Sequence, residues 1–248
     1  MAQNPITPRG NTIKALKGWE NLWRYRLGDY RLIYSADRER QVVGRTRILR
    51  RNYRSTRQIA HAAAELLAEM DDADAEAVEQ KYVHAGALPV VYAAKGTADQ
   101  VRWLAEQIWH AAQELRLPVN GAAVLVPSNS LGKTLAHLLK EQGLPARFLP
   151  SKEVRLEERC AKVMTLYAAK GLEFPIVAIA HVEADWLPRE TTATDPEDIK
   201  EHYENQRRIF YVGCTRAMRH LFITHDRSLP SPFLELLSDE CWLKLNAA

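Results

Sequence analysis

From Thr56 onward, short apolar runs alternate with amphipathic stretches, and no other feature of the 248-residue chain restricts its folding so strongly. The runs LPVVYAA, AAVLVPS, KVMTLY, PIVAIAHV and HLFITH have strand length. Between them lie segments such as ADQVRWLAEQIWHAAQEL, whose apolar positions recur at three and four, as on one face of a helix. Strands that are nearly continuous in apolar character, separated by helices, indicate a parallel sheet covered on both faces, so the predicted class is α/β. Further helices are expected through IAHAAAELLAEM, at LGKTLAHLLKEQG with Gly143 as its end, around residues 198–218, and at PFLELL as the closing element. The acidic run DDADAEAVEQ reads as an exposed loop. Sheets of this kind hold ligands beyond the carboxyl ends of their strands.

The first part of the chain is different. LWRYRL and YRLIYSA read as two antiparallel strands around Gly28-Asp29, with a second turn at 37–40 before QVVG. A domain boundary is expected near residue 45, giving a small β-hairpin segment at 1–44 and an α/β domain at 45–248. Charge divides in nearly the same place: residues 1–58 hold 14 Lys/Arg against 4 Asp/Glu, and the remainder 20 against 27. Basic residues interleaved with aromatics suit phosphate, since Lys and Arg displace its condensed counterions; a solvated strand face is the plainer alternative. The chain has no apolar run long enough to span a bilayer and its start lacks a secretory stretch, so a cytoplasmic protein without membrane contact is expected. Cys160, Cys214 and Cys241 are too scattered for a CxxC metal pair, and no metal site is predicted.

Gly132-Lys133-Thr134 looks like the end of a phosphate-binding loop. That loop needs a glycine five residues before Gly132, where this chain has Pro127, which also lacks an amide donor. The segment therefore reads as an ordinary helix start.

Three other segments are more specific: Asn52-Tyr53-Arg54-Ser55, TLYAAKGLEF at 165–174, and QRRIFYVGCTRA at 206–217. In this order they resemble motifs IV, V and VI of the UvrD/Rep/PcrA superfamily 1 DNA helicases, over roughly residues 47–236. The resemblance implies a RecA-like sheet, the second such domain of a helicase. It implies that Arg54 and Arg216 act as arginine fingers on the γ-phosphate of ATP, where developing charge favours a permanently ionised, forked cation. It makes Glu173 the ribose ligand, with Gly171 allowing close backbone approach, and Thr165 and Tyr167 contacts to single-stranded DNA. At 167 the family usually has histidine; tyrosine can stack or donate but is not a cation near neutral pH. Asn205 and Gln206 stand where glutamates are common, whereas Arg207, Arg208 and Tyr211 agree with the pattern and read as packing residues.

No Walker A loop, magnesium-binding Asp-Glu pair or adenine-reading glutamine segment accompanies these motifs. ATP with Mg2+ is therefore expected only beside a complementary Walker A/B domain, and none bound by this chain alone, which should be inactive by itself. Expected partners are single-stranded DNA and a separate N-terminal motor domain. Only 110 residues separate Arg54 from Thr165, too few for the large accessory domain that some relatives insert there.

Residues 12–43 resemble the middle of a RelE/ParE-type toxin, through Leu22, Arg24, Arg26, Gly28, Tyr30, Arg31 and Tyr34. That resemblance implies RNA binding by Arg24, Arg26 and Arg31, without the toxin's amino-terminal helices and final strand. Two alternatives to a helicase half stand beside it: a non-catalytic nucleic-acid-binding remnant, and a RelE-like RNA-cleaving fusion.

Overall fold

A computed structural model describes residues 55–67, 84–150 and 158–247 in full. Outside these it describes the backbone of strands Ile13–Ala15 (β1), Leu22–Leu27 (β2), Tyr30–Asp37 (β3), Val42–Arg47 (β4), Arg51–Asn52 (β5) and Lys81–Tyr82 (β6). Arg54 and the acidic run at 71–80 lie outside the described residues. Contacts divide the chain into two units, Met1–Asn52 with Asp71–Lys81, and Tyr53–Met70 with Tyr82–Ala248.

In the first unit β1, β2, β3 and β4 form one antiparallel sheet in that order. The expected hairpin around Gly28-Asp29 is its centre, β2 with β3. A hairpin alone is marginal in water, and here a further strand flanks it on each side.

The second unit is built on seven strands, all parallel: Val90–Ala94 (β7), Ala122–Val126 (β8), Ala146–Phe148 (β9), Ala161–Thr165 (β10), Phe174–Ile179 (β11), Ala217–Asp226 (β12) and Leu243–Asn246 (β13). Their order in the sheet is β13-β7-β12-β11-β8-β10-β9. This is the α/β fold of a RecA-like domain. Every residue of β8 and β10 is buried, as continuous apolar strands under two helical layers must be.

Helices Thr97–Glu114 (α2) and Asn129–Glu141 (α3) cover one face. Helices Arg57–Ala64 (α1) and Pro196–Cys214 (α4) cover the other. On α2 the buried residues Val101, Leu104, Ala105, Ile108, Ala111 and Ala112 recur at three and four, and Trp103 stacks on Tyr92 of β7 with centroids 4.5 Å apart. Burying a residue such as Leu104 stabilises by roughly 1.5–3 kcal/mol. α4 starts where Asp195 accepts the amides of Glu197 and Asp198, with Pro196 next and acidic residues complementing the helix dipole.

The chain does not close on a helix. Pro232–Leu236 is a single 3-10 turn capped by Ser231, and the edge strand β13 follows. LKLN is exposed along its whole length, so no burial pattern marked it in the sequence.

Gly132 belongs to α3, about one turn in from Ser128, whose hydroxyl caps the helix by accepting the Leu131 amide. A Cβ at 132 would sit 2.6 Å from the Phe148 ring, so the glycine lets α3 lie close against β9. Lys133 and Thr134 are exposed. Lys133→Ala should therefore leave any nucleotide affinity unchanged in a titration, whereas Gly132→Val should lower the melting temperature by overpacking against Phe148.

Candidate functional site

The segments singled out by sequence sit at both ends of the parallel strands, not at the carboxyl ends alone. β11 and β12 are neighbours, with Phe174 opposite Ala217, so Glu173 and Arg216 precede adjacent strands at the amino edge. The Phe174 amide donates to the Arg216 carbonyl at 3.0 Å. The Thr56 amide donates to the Met218 carbonyl at 3.2 Å, which brings the end of the Asn52–Ser55 segment to the same edge. Thr56 also caps α1 by accepting from the Ile59 amide.

The Arg216 guanidinium is held by its surroundings. Nε donates to the Val212 carbonyl at 2.9 Å, one terminal nitrogen to the Leu172 carbonyl at 3.3 Å, and the other to Thr215 Oγ1 at 3.0 Å. Thr215 in turn donates to the Val212 carbonyl at 2.9 Å. Glu173 is exposed beside it. Gly171 has φ +87°, and a Cβ there would meet nothing within 4 Å. The glycine is thus required by backbone conformation, and the space over it is open.

At the opposite edge, Thr165 ends β10 nearly buried, and its hydroxyl caps the following turn by accepting the Ala168 amide at 3.2 Å. A hydroxyl that accepts one bond can still donate another. Tyr167 is 55% exposed, and Gln206 Nε2 donates to its hydroxyl at 3.4 Å. The two departures from the family pattern therefore meet: tyrosine for histidine and glutamine for glutamate form a neutral pair.

Arg207 is buried and donates to the Leu66 carbonyl, and Arg208 pairs with Glu204 on its own helix, in keeping with packing roles. Arg24, Arg26 and Arg31 lie on strands β2 and β3 of the first unit.

Two features were not read from the sequence. A Cβ at Gly213 would lie 2.5 Å from Leu166 Cδ2, so α4 rests directly on the segment leaving β10. A glycine inside a helix, where it costs stability, was the available signal. The second feature is a buried cluster where β11 and β12 end. Glu183 Oε1 accepts from Gln100 Nε2 at 2.7 Å and from the Asp226 amide at 3.0 Å, and pairs with His181 at 3.4 Å, while Thr224 donates to Gln100. Burial alone would raise the Glu183 pKa, but the bonds from His181, Gln100 and the Asp226 amide hold it below the usual carboxylate range. A depressed carboxylate stabilises the fold above its unfolded pKa of about 4.5, and that contribution is lost as pH falls through the folded value. Stability measured by urea titration should drop below pH 4.5, and Glu183→Gln should flatten that limb. An unchanged pH dependence in the variant would assign the loss to other groups.

The model of the UvrD-like helicase C-terminal domain matches residues 48–155 and 149–228. The chain belongs to this family. It is 30% identical over 169 residues to DNA helicase II of Haemophilus influenzae, an alignment covering 64% of this chain and 21% of that protein. It is 46% identical over 63 residues to the ATP-dependent DNA helicase PcrA of Leuconostoc citreum, covering 25% and 8%. The chain thus spans about a fifth or less of these relatives' length. A crystal structure of the C-terminal domain of a possible DNA helicase from Lactobacillus plantarum WCFS1 shares the fold, with TM-score 0.56 and 21% identity over 78% of this chain and 98% of that one. The family match includes both the Glu173–Arg216 edge and the Thr165–Tyr167 edge. Among the described residues no helix is long and apolar enough to cross a membrane, and no group of three or more His, Cys, Asp or Glu is placed to hold a metal.

Proposed function

We propose that this UvrD-like domain supplies the second RecA-like half of an ATP-dependent DNA helicase. Arg216, with Arg54, would meet the γ-phosphate, Glu173 would bond the ribose, and Thr165 and Tyr167 would line part of a single-strand DNA track. The carrying observation is the convergence at the amino ends of β11 and β12: the Arg216 carbonyl bonds Phe174, its guanidinium bonds Leu172, and the Met218 carbonyl bonds Thr56.

The donor set fits half of a nucleotide site. A guanidinium, an exposed carboxylate and an open glycine suit a triphosphate and its sugar. The sequence offers no lysine-and-amide cradle for the β- and γ-phosphates and no carboxylate pair for Mg2+. Those must come from a complementary domain across the amino edge, which would supply the metal and the bulk of phosphate binding. This chain's share is a fixed cation aimed at charge that grows in the transition state.

The 248-residue chain alone should turn over ATP negligibly. DNA-stimulated turnover should appear when a separately purified motor domain bearing Walker A and B is added in excess. Metal-dependent, DNA-stimulated hydrolysis by the chain by itself, abolished by Arg216→Ala, overturns the half-site reading. A lack of stimulation on mixing counts against it.

A further inference from the structure

The register of the first unit sorts its residues by face, with one irregularity between Ile33 and Tyr34, where Arg45 stands opposite Tyr34 although it is only two residues from Arg47. Residues directly opposite on antiparallel strands share a face, and residues two apart along a strand do too. Lys14 is opposite Arg24, Arg24 opposite Ile33, and Ile33 opposite Arg47, which makes one row across all four strands. Arg26 is opposite Arg31 in the next row on the same face. The other face carries Trp23, Tyr25, Leu27, Tyr30, Leu32 and Tyr34. Asp37 is the single acidic residue of β1–β4, and it lies six positions along β3 from Arg31, about 20 Å at strand rise.

We infer that this five-cation face binds the phosphate backbone of single-stranded DNA. Like charges directly opposite each other destabilise a sheet, yet two such pairs, Lys14 with Arg24 and Arg26 with Arg31, occur side by side. An array of this kind cannot be buried without anions to compensate it. A polyanion converts the repulsion into affinity, because each neutralised phosphate releases counterions. Arg24 and Arg26 are two residues apart, about 7 Å, a spacing on the scale of successive phosphates in an extended strand. The choice of single-stranded DNA over other polyanions rests on the helicase reading of the second unit; the charge array itself does not.

The test is fluorescence anisotropy of the full chain with a labelled oligo-dT strand from 50 to 200 mM salt. Single-strand binding weakens with a log–log slope of about 0.7 per phosphate contact. Replacing Arg24, Arg26 and Arg31 together by Gln should make the slope shallower by about 2, so that the fourfold salt increase weakens binding about 20-fold less than in the wild type. The corresponding triple Lys variant should retain the wild-type slope, which a merely structural effect of the substitutions would not allow. An unchanged slope in the Gln variant, an equal loss in the Lys variant, no binding by the wild type at 50 mM salt, or tighter binding to duplex DNA of the same length overturns the assignment. So does cleavage of an RNA strand that is lost with Arg31→Gln. Thr165→Val and Tyr167→Ala report on the second unit separately: if they bind as the wild type does, the proposed DNA track fails while the slope difference still decides this face.

Discussion

Replacing Arg216 by alanine should lower ATP turnover, measured with an added Walker A/B domain and single-stranded DNA, by about 10³-fold or more. That factor corresponds to about 4 kcal/mol of transition-state stabilisation. The expectation follows from how the guanidinium is held. Three directional bonds, to Val212, Leu172 and Thr215, fix the plane of the group before any phosphate arrives, so little ordering remains to be done in the reaction. Lysine cannot reproduce that fork, and Arg216→Lys should recover only a small part of the loss. The bonds that alanine removes have a charged donor and are worth about 1.5–3 kcal/mol each where water is excluded, so the turnover comparison is made on variant protein whose folded state is verified by its urea unfolding transition. Turnover equal to wild type in Arg216→Ala would remove this residue from the chemistry.

The second large effect concerns Leu166 and Gly213. Leu166 is 2% exposed, and its truncation to alanine should cost about 2–5 kcal/mol in urea unfolding. Gly213→Ala should cost about 1–3 kcal/mol, because the new methyl would stand 2.5 Å from Leu166 Cδ2. The two substitutions together should be less harmful than the sum, since the methyl at 213 enters space vacated at 166. Strict additivity in the double-mutant cycle would mean that the two residues do not bear on each other.

The strands and helices of the second unit were readable because burial on both faces leaves an apolar run with nothing polar inside it, as in AAVLV of β8. β13 was missed for the opposite reason: exposed along its length, it gives no such run. The site residues were named from motifs, and Glu173 and Arg216 immediately precede adjacent strands. That the two strands are neighbours depended on strand order, which local sequence does not encode, whereas a residue just before a strand of a parallel sheet stands at the amino edge in any order. Tyr167 and Gln206 each looked like an isolated departure, because their 3.4 Å bond links residues 39 positions apart. The Glu183 cluster was invisible for the same reason, joining Gln100 to a carboxylate 83 positions away.

β10 finishes at one edge of the sheet and β11 begins at the other, and only residues 166–173 run between them. The return trip is about 16 Å for a five-residue strand, while eight residues can stretch to about 27 Å. Much of that reserve is already spent, since residues 166–171 are wound into turns. Tyr167 at one rim and Glu173 at the other are thus six residues apart along the chain, joined by a segment that crosses the sheet wound rather than stretched.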